Sequence, residues 1–196
     1  MRLKKTTGAI ILLIITEMVK LKGGIIMGYL VAIGLTAGVI AGVFTHLAFI
    51  AAVLPVIVWV SFAGEASFFA AGGKNMGFVK GLASNLAGVF WGYVIFFIVG
   101  AWASPLAMGL AVFLAVLMMC IQAKIEILSF IPGAFIGAAC LFGTASADFP
   151  SGNIVGVVIA LVLGAVMGWV AEKAAGPIAG LIAKKIPEKA VAEQQA

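Results

Sequence analysis

After Met27 the chain contains six apolar runs, and every lysine outside them falls in gaps of one parity. The runs span roughly 28–45, 47–63, 82–102, 105–121, 126–144 and 153–171. A hydrocarbon core of about 30 Å needs about 20 apolar residues to cross it as a helix. Several of these runs sit near the short end of that range, which predicts thin or tilted packing. Lys74 and Lys80 fill one gap, Lys124 another, and Lys173, Lys184, Lys185 and Lys189 follow the last run. The alternate gaps hold His46, the Ser104-Pro105 turn and Asp148, with no lysine. Lysine marks the cytoplasmic side, so six spans with both termini cytoplasmic account for every gap. An odd count would scatter the lysines on both sides.

Composition agrees with a bilayer as solvent. Of 196 residues, 64% are hydrophobic and 10% charged, more apolar surface than one soluble core of this size can hide. The net charge of +5 is concentrated at the start, where Arg2, Lys4, Lys5, Lys20 and Lys22 lie. Without a basic face in polar surroundings, a nucleic-acid partner is not expected. Cys120 and Cys140 sit inside apolar runs and lack metal-ligand spacing, which makes them packing residues.

Residues 1–26 read differently. The run Ala9 to Ile15 is too short to span, Glu17 interrupts it, and no small-residue cleavage site follows it. The codons for Lys22-Gly23-Gly24 can spell a ribosome-binding sequence ahead of Met27. Translation is therefore expected to start at Met27, the alternative being a short amphipathic surface helix. Residues 27–171 form the membrane domain, and 172–196 form a charged cytoplasmic tail. Ile178, Leu181, Ile182 and Ile186 recur there at helical spacing, so the tail is read as an amphipathic interfacial helix ended by Pro187.

The runs also repeat. Gly88-Val-Phe-Trp-Gly-Tyr-Val94 matches Gly164-Ala-Val-Met-Gly-Trp-Val170 at 76 positions, and the same offset carries the start of the first run onto that of the fourth. Pro55 falls within about a residue of Pro132 on that offset. Halves of three spans, about 28–102 and 105–171, must enter the membrane in opposite directions, which is the pattern of inverted-repeat transporters. The expected fold is an all-α membrane protein of six transmembrane helices in two inverted three-helix repeats, the second and fifth broken by proline. Gly34, Gly38 and Gly42 form one small-residue stripe, and Gly133 with Gly137 another, as close helix packing requires.

Polar residues in the spans are the functional candidates, because lipid cannot satisfy them. Ser84 and Asn85 lie early in the third span, with Trp91 two turns on. Asn85 either lines a polar path or joins two helices. Cys120-Ile-Gln-Ala-Lys124 closes the fourth span, and Gln122 and Glu126 share a face if that helix continues. Lys124 snorkels to the interface. Ser129-Phe-Ile-Pro-Gly133 opens the fifth span, where proline removes a donor and marks a break or a kink. Glu65 to Lys80, with Phe68-Phe-Ala-Ala-Gly-Gly73, is too apolar for an ordinary loop and is a candidate to re-enter the membrane.

The substrate-path set is Asn85, Trp91, Gln122, Ser129, Pro132 and Gly133, with Lys80, Lys124 and Glu126 at the interface or gate. One histidine, no carboxylate cluster in the spans and no phosphate-binding glycine loop give no basis for an enzyme, a metal site or a cofactor. Without an acidic residue read at mid-membrane, uncharged solutes fit better than ions.

Cys120-Ile-Gln-Ala-Lys124 followed by Leu128-Ser-Phe-Ile-Pro-Gly-Ala-Phe-Ile-Gly-Ala138 resembles the bacterial domain-of-unknown-function family 1097, over about residues 28–172. The resemblance implies a small polytopic protein of the bacterial inner membrane and brings no substrate. The expectation is a channel or transporter for a small neutral polar solute, or else a non-transporting scaffold or regulatory subunit. Lipid is the surrounding partner, and a homo-oligomer is plausible for so narrow a bundle.

Overall fold

A computed structural model describes residues 24–49, 56–145 and 154–185. The described residues form six α-helices: α1 (Gly24–Phe49), α2 (Val58–Ala70), α3 (Lys74–Ala101), α4 (Ala107–Ile121), α5 (Ile131–Ala145) and α6 (Ile154–Lys185). Two short 3₁₀ turns, Gln122–Lys124 and Glu126–Leu128, separate α4 from α5. Residues 1–23 and Pro55, Asp148, Ile186, Pro187 and Lys189 lie outside the described residues. The expected region upstream of Met27, the Pro55 break and the end of the tail helix fall mostly there.

Four stretches are long and apolar enough to cross a membrane: Gly28–Phe49, Lys74–Ala101, Ala107–Lys124 and Ile154–Ile182. Two of the six expected spans are shorter. α2 has 13 residues and α5 has 15, or roughly 20–22 Å at about 1.5 Å per residue, less than the hydrocarbon core. The second helix also begins later than the 47–63 expectation and continues through Glu65 to Ala70. It does so because Ser61, Glu65 and Ser67 are buried there against other helices. The Phe68–Gly73 stretch is accordingly no separate loop. It divides between the end of α2 and the turn Ala71–Gly73, whose Gly72 and Gly73 have φ of 100° and 64°.

The fifth helix is not broken by proline. Pro132 lies in the first turn of α5, where a missing N–H costs no helical bond. The interruption precedes it, in the 3₁₀ turns, where Ser129 Oγ donates to the Glu126 carbonyl at 2.7 Å. Gln122 and Glu126 therefore do not share a helical face. The tail differs too: α6 runs unbroken from Ile154 to Lys185 with Pro177 inside it, so no separate interfacial helix starts at 172.

The chain divides into two units, Met1–Gly42 with Ala171–Ala196, and Val43–Val170. In the first, Thr36 Oγ1 donates to the Ala171 carbonyl at 2.9 Å, and Tyr29 Oη to Glu172 at 3.5 Å. Gly34, Gly38 and Gly42 meet nothing within 4 Å of a built Cβ, so that stripe is not a close-packing seam.

The second unit is built on two close helix pairs. A Cβ on Gly88 of α3 would collide with the Ala134 carbonyl of α5, and one on Gly137 of α5 with the Asn85 carbonyl of α3. A Cβ on Gly92 would lie 3.2 Å from the Leu141 side chain. Likewise, a Cβ on Gly164 of α6 would collide with the Ser61 carbonyl of α2, and one on Gly64 would lie 2.6 Å from the Leu161 carbonyl. A Cβ on Gly168 would lie 2.6 Å from the Phe68 ring. From Ser84 with Gly133 to Gly92 with Leu141 in one pair, and from Ser61 with Gly164 to Phe68 with Gly168 in the other, both chains advance in the same direction, so the paired helices run parallel. Backbones approach this closely only where no side chain stands between them. Val60, Val89, Phe96, Leu141, Val157 and Leu161 fill the core between the pairs. α4 packs Ala111 and Ala115 against Ile95 of α3.

Candidate functional site

The residues singled out by sequence fall into separate places. Asn85 is fully buried on α3, where its Oδ1 accepts a hydrogen bond from Ser67 Oγ of α2 at 3.0 Å. Its backbone carbonyl lies against Gly137, and neighbouring Ser84 against Gly133. Asn85 thus joins α2, α3 and α5, the helix-joining role weighed for it above. Its Nδ2, like Ser84 Oγ, is buried without a hydrogen-bond partner among the described residues.

Trp91 and Gln122 do meet. The indole Nε1 donates to Gln122 Oε1 at 2.8 Å, and the half-buried ring packs against Met119, Ala134 and Ala138. This bond ties the first 3₁₀ turn to α3, and Gln122 Nε2 is left buried without a partner among the described residues. Replacing Gln122 with leucine is expected to cost about 1 kcal/mol, the range for one lost hydrogen bond that leaves a donor unpaired. Unfolding in mixed micelles would check it, with no comparable further loss when Gln122→Leu is added to Trp91→Phe.

Ser129 is exposed in the turn, and Lys124 is exposed beside it. Lys80 and Glu126 form an ion pair at 3.5 Å, with Glu126 three-quarters exposed. Such a surface pair contributes little energy, but it places the second 3₁₀ turn against α3. Gly133 is buried, held between Phe130 and Ser84.

Two open surface grooves lie elsewhere. One of about 540 Å³ is lined on α4 by Gly109, Val112, Phe113, Val116, Leu117 and Cys120. The other, about 380 Å³, is lined by Asn75, Phe78, Val79, Val166 and Trp169. Neither is lined by Asn85 or Gln122, and Asn85 is fully buried.

Sequence reasoning missed Ser61, Glu65 and Ser67. They were assigned to a span end and a cytoplasmic stretch, yet all three are buried on α2, with Glu65 only 7% exposed. The available signal was Phe62-x-Gly64-x-Ala66-x-x-Phe69, which recurs as Phe135-x-Gly137-x-Ala139-x-x-Phe142 and marks 58–70 as a packed helix.

The comparisons with known proteins bear on the whole fold. The family model described as Protein of unknown function (DUF1097) matches residues 34–176. The chain belongs to this family. Inner membrane protein YcdZ of Escherichia coli (strain K12) is 35% identical over 127 residues, which cover 59% of this chain and 71% of YcdZ. The uncharacterized protein YahC of the same organism is 31% identical over 150 residues, 67% of this chain and 89% of YahC. YcdZ of Salmonella typhimurium is 34% identical over 124 residues, 59% of this chain and 72% of that protein. No solved structure matches. Family membership brings no catalytic residue, and no group of three or more metal-ligating side chains occurs among the described residues.

Proposed function

We propose that this chain is a non-enzymatic transporter of the bacterial inner membrane for a small neutral polar solute, built from two inverted halves and closed in this conformation. The observation that carries the reading is the matched pair of helix contacts. Gly88, Gly92 and Asn85 of α3 correspond to Gly164, Gly168 and Leu161 of α6, each 76 residues on. Their partners Ser61, Gly64 and Phe68 of α2 correspond to Ala134, Gly137 and Leu141 of α5, each 73 residues on. Burial repeats as well, position for position, between 59–68 and 132–141. On this register Pro132 corresponds to Trp59 rather than Pro55.

Two three-helix halves have odd parity, so their copies face opposite ways across the bilayer. Each half contributes one short helix, α2 or α5, whose limited length suits the discontinuous helices of such transporters. Buried polar atoms without partners (Ser61 Oγ, Ser84 Oγ and Asn85 Nδ2) cost free energy in this packing and suit a second conformation in which they meet water or solute. The lysine pattern supports cytoplasmic termini, the YcdZ names support the inner membrane, and outward-facing Phe90, Phe97, Phe113 and Val155 suit lipid.

A second reading, a non-transporting scaffold, is favoured by the sealed packing around Asn85. Solute uptake into proteoliposomes separates the two. Urea, acetamide, glycerol, ammonia and formate are presented in turn, and stopped-flow light scattering follows the volume change. Transport predicts at least one solute entering several-fold faster than into empty vesicles, with the gain lost in Asn85→Leu. Equal rates for all five, with folded protein in the vesicles, would favour the scaffold.

A further inference from the structure

The two halves share a scaffold but not its chemistry. Five buried positions of α2 and α3 carry polar side chains: Ser61, Glu65, Ser67, Ser84 and Asn85. Their counterparts on the register above are Ala134, Ala138, Cys140, Ala160 and Leu161. Burial at the matched positions is the same, within 1% of exposure in every pair; Glu65 is 7% exposed and Ala138 6%. The second half therefore shows that this packing is made without polar groups. Their presence in the first half needs another reason.

Glu65 is the most costly of them. A carboxylate on so little-exposed a residue is stabilised by a cation or several donors, and its ionised form is otherwise disfavoured. Glu65 is 7% exposed, and no ion pair or side-chain hydrogen bond joins it to another described residue. On α6, Leu161, Gly164 and Gly168 face α2; on α3, Gly77, Gly81 and Asn85 do so. None of these carries charge. From α5 the titratable group that shares this core is Cys140, buried beside Val60 and Leu161. Lys80 is engaged with Glu126. One helical turn before Glu65, on the same face of α2, Ser61 Oγ is fully buried and unpartnered.

We propose that Glu65, with Ser61 beside it, is a proton-binding site of the first half: the carboxylate takes up a proton from water when α2 is exposed and carries it as the neutral acid when the helices close. The exchange is a simple transfer, hydronium and carboxylate giving water and carboxylic acid, with no oxidant or further reactant. Ser61 supplies the hydroxyl that can donate to the carboxylate or accept from the acid. The proton site stands on the packing alone. Its use to drive solute movement rests on the transport reading above.

Infrared spectroscopy of the full chain in phosphatidylethanolamine–phosphatidylglycerol vesicles tests it. The stretching band of a protonated carboxylic acid is expected at neutral pH, lost in Glu65→Gln and in Glu65→Ala. Ala138 shows that alanine fits the equivalent place, so the second variant guards against misfolding of the first. In wild type the band is expected to vanish reversibly in alkaline buffer and to move in frequency in Ser61→Ala. Absence of the band at neutral pH, its survival in both Glu65 variants, or its persistence unchanged in strongly alkaline buffer would each overturn the proposal. Failure of every solute in the uptake assay leaves these outcomes untouched.

Discussion

Replacing Gly88 with valine is expected to abolish the folded bundle. The first atom of the new side chain would collide with the Ala134 carbonyl of α5, and that atom belongs to the backbone of a packed helix. A flexible neighbour turns aside at small cost, but a helix must move as a body. Overpacking typically costs about 1–3 kcal/mol, and a backbone obstacle places this variant at or above the top of that range. Gly164→Val and Gly137→Val, opposed to the Ser61 and Asn85 carbonyls, are expected to behave alike. Gly38→Ala is the control: nothing lies within 4 Å of its built Cβ, and alanine is the better helix former by about 1 kcal/mol. The three valine variants should elute as aggregate from a detergent column, with Gly38→Ala eluting as wild type.

The second large effect is at Phe68. Its ring is buried to 1% exposure and fills the space over Gly168, whose built Cβ would stand 2.6 Å from the ring. Phe68→Ala empties that space. Lipid offers no hydrophobic drive, so the loss is mainly of packing, and about 3 kcal/mol is expected, the low end for a buried phenylalanine. Leu141→Ala, over Gly92 in the other pair, should cost about 2–3 kcal/mol. Gly168→Ala is destabilising alone, because it strikes the ring, yet should restore part of the loss when combined with Phe68→Ala. The coupling, read from unfolding in mixed micelles as a double-mutant cycle, is expected to exceed about 1 kcal/mol in the compensating direction. Simple additivity would mean that the ring does not rest on that glycine.

These variants show what was legible in the sequence. Apolar length located four long helices, because it depends on the bilayer more than on neighbouring helices. The glycines of the third and sixth runs showed their spacing, and they are the residues at the two closest contacts. The stripe of Gly34, Gly38 and Gly42 has the same spacing and meets nothing, since a spacing does not reveal whether a partner faces it. The limits of α2 and α5 were misread for a related reason. A carboxylate at 65 argues for water until one knows that α6 covers it, and Pro132 argues for a break until one sees that the helix begins there. Of the path residues, Trp91 and Gln122 were brought together, and Gly133 was set against Ser84, which lies outside that set. Ser129 was left in the open turn, because burial depends on how the chain turns between α4 and α5.

The crossed pairing has a consequence for biogenesis. α3 closes on α5 and α2 on α6, so each short helix made early or late finds its seat on a helix from the opposite end of the chain. A ribosome that has delivered α1 to α3 into the membrane has produced only the contact of α2 with α3, and the glycine faces of the two close pairs are still open to lipid. Those faces stay open until α5 and then α6 emerge. A chain stopped after α4 is therefore an obvious substrate for membrane quality-control proteases, and the insertion machinery has to hold the early helices together until the last one arrives.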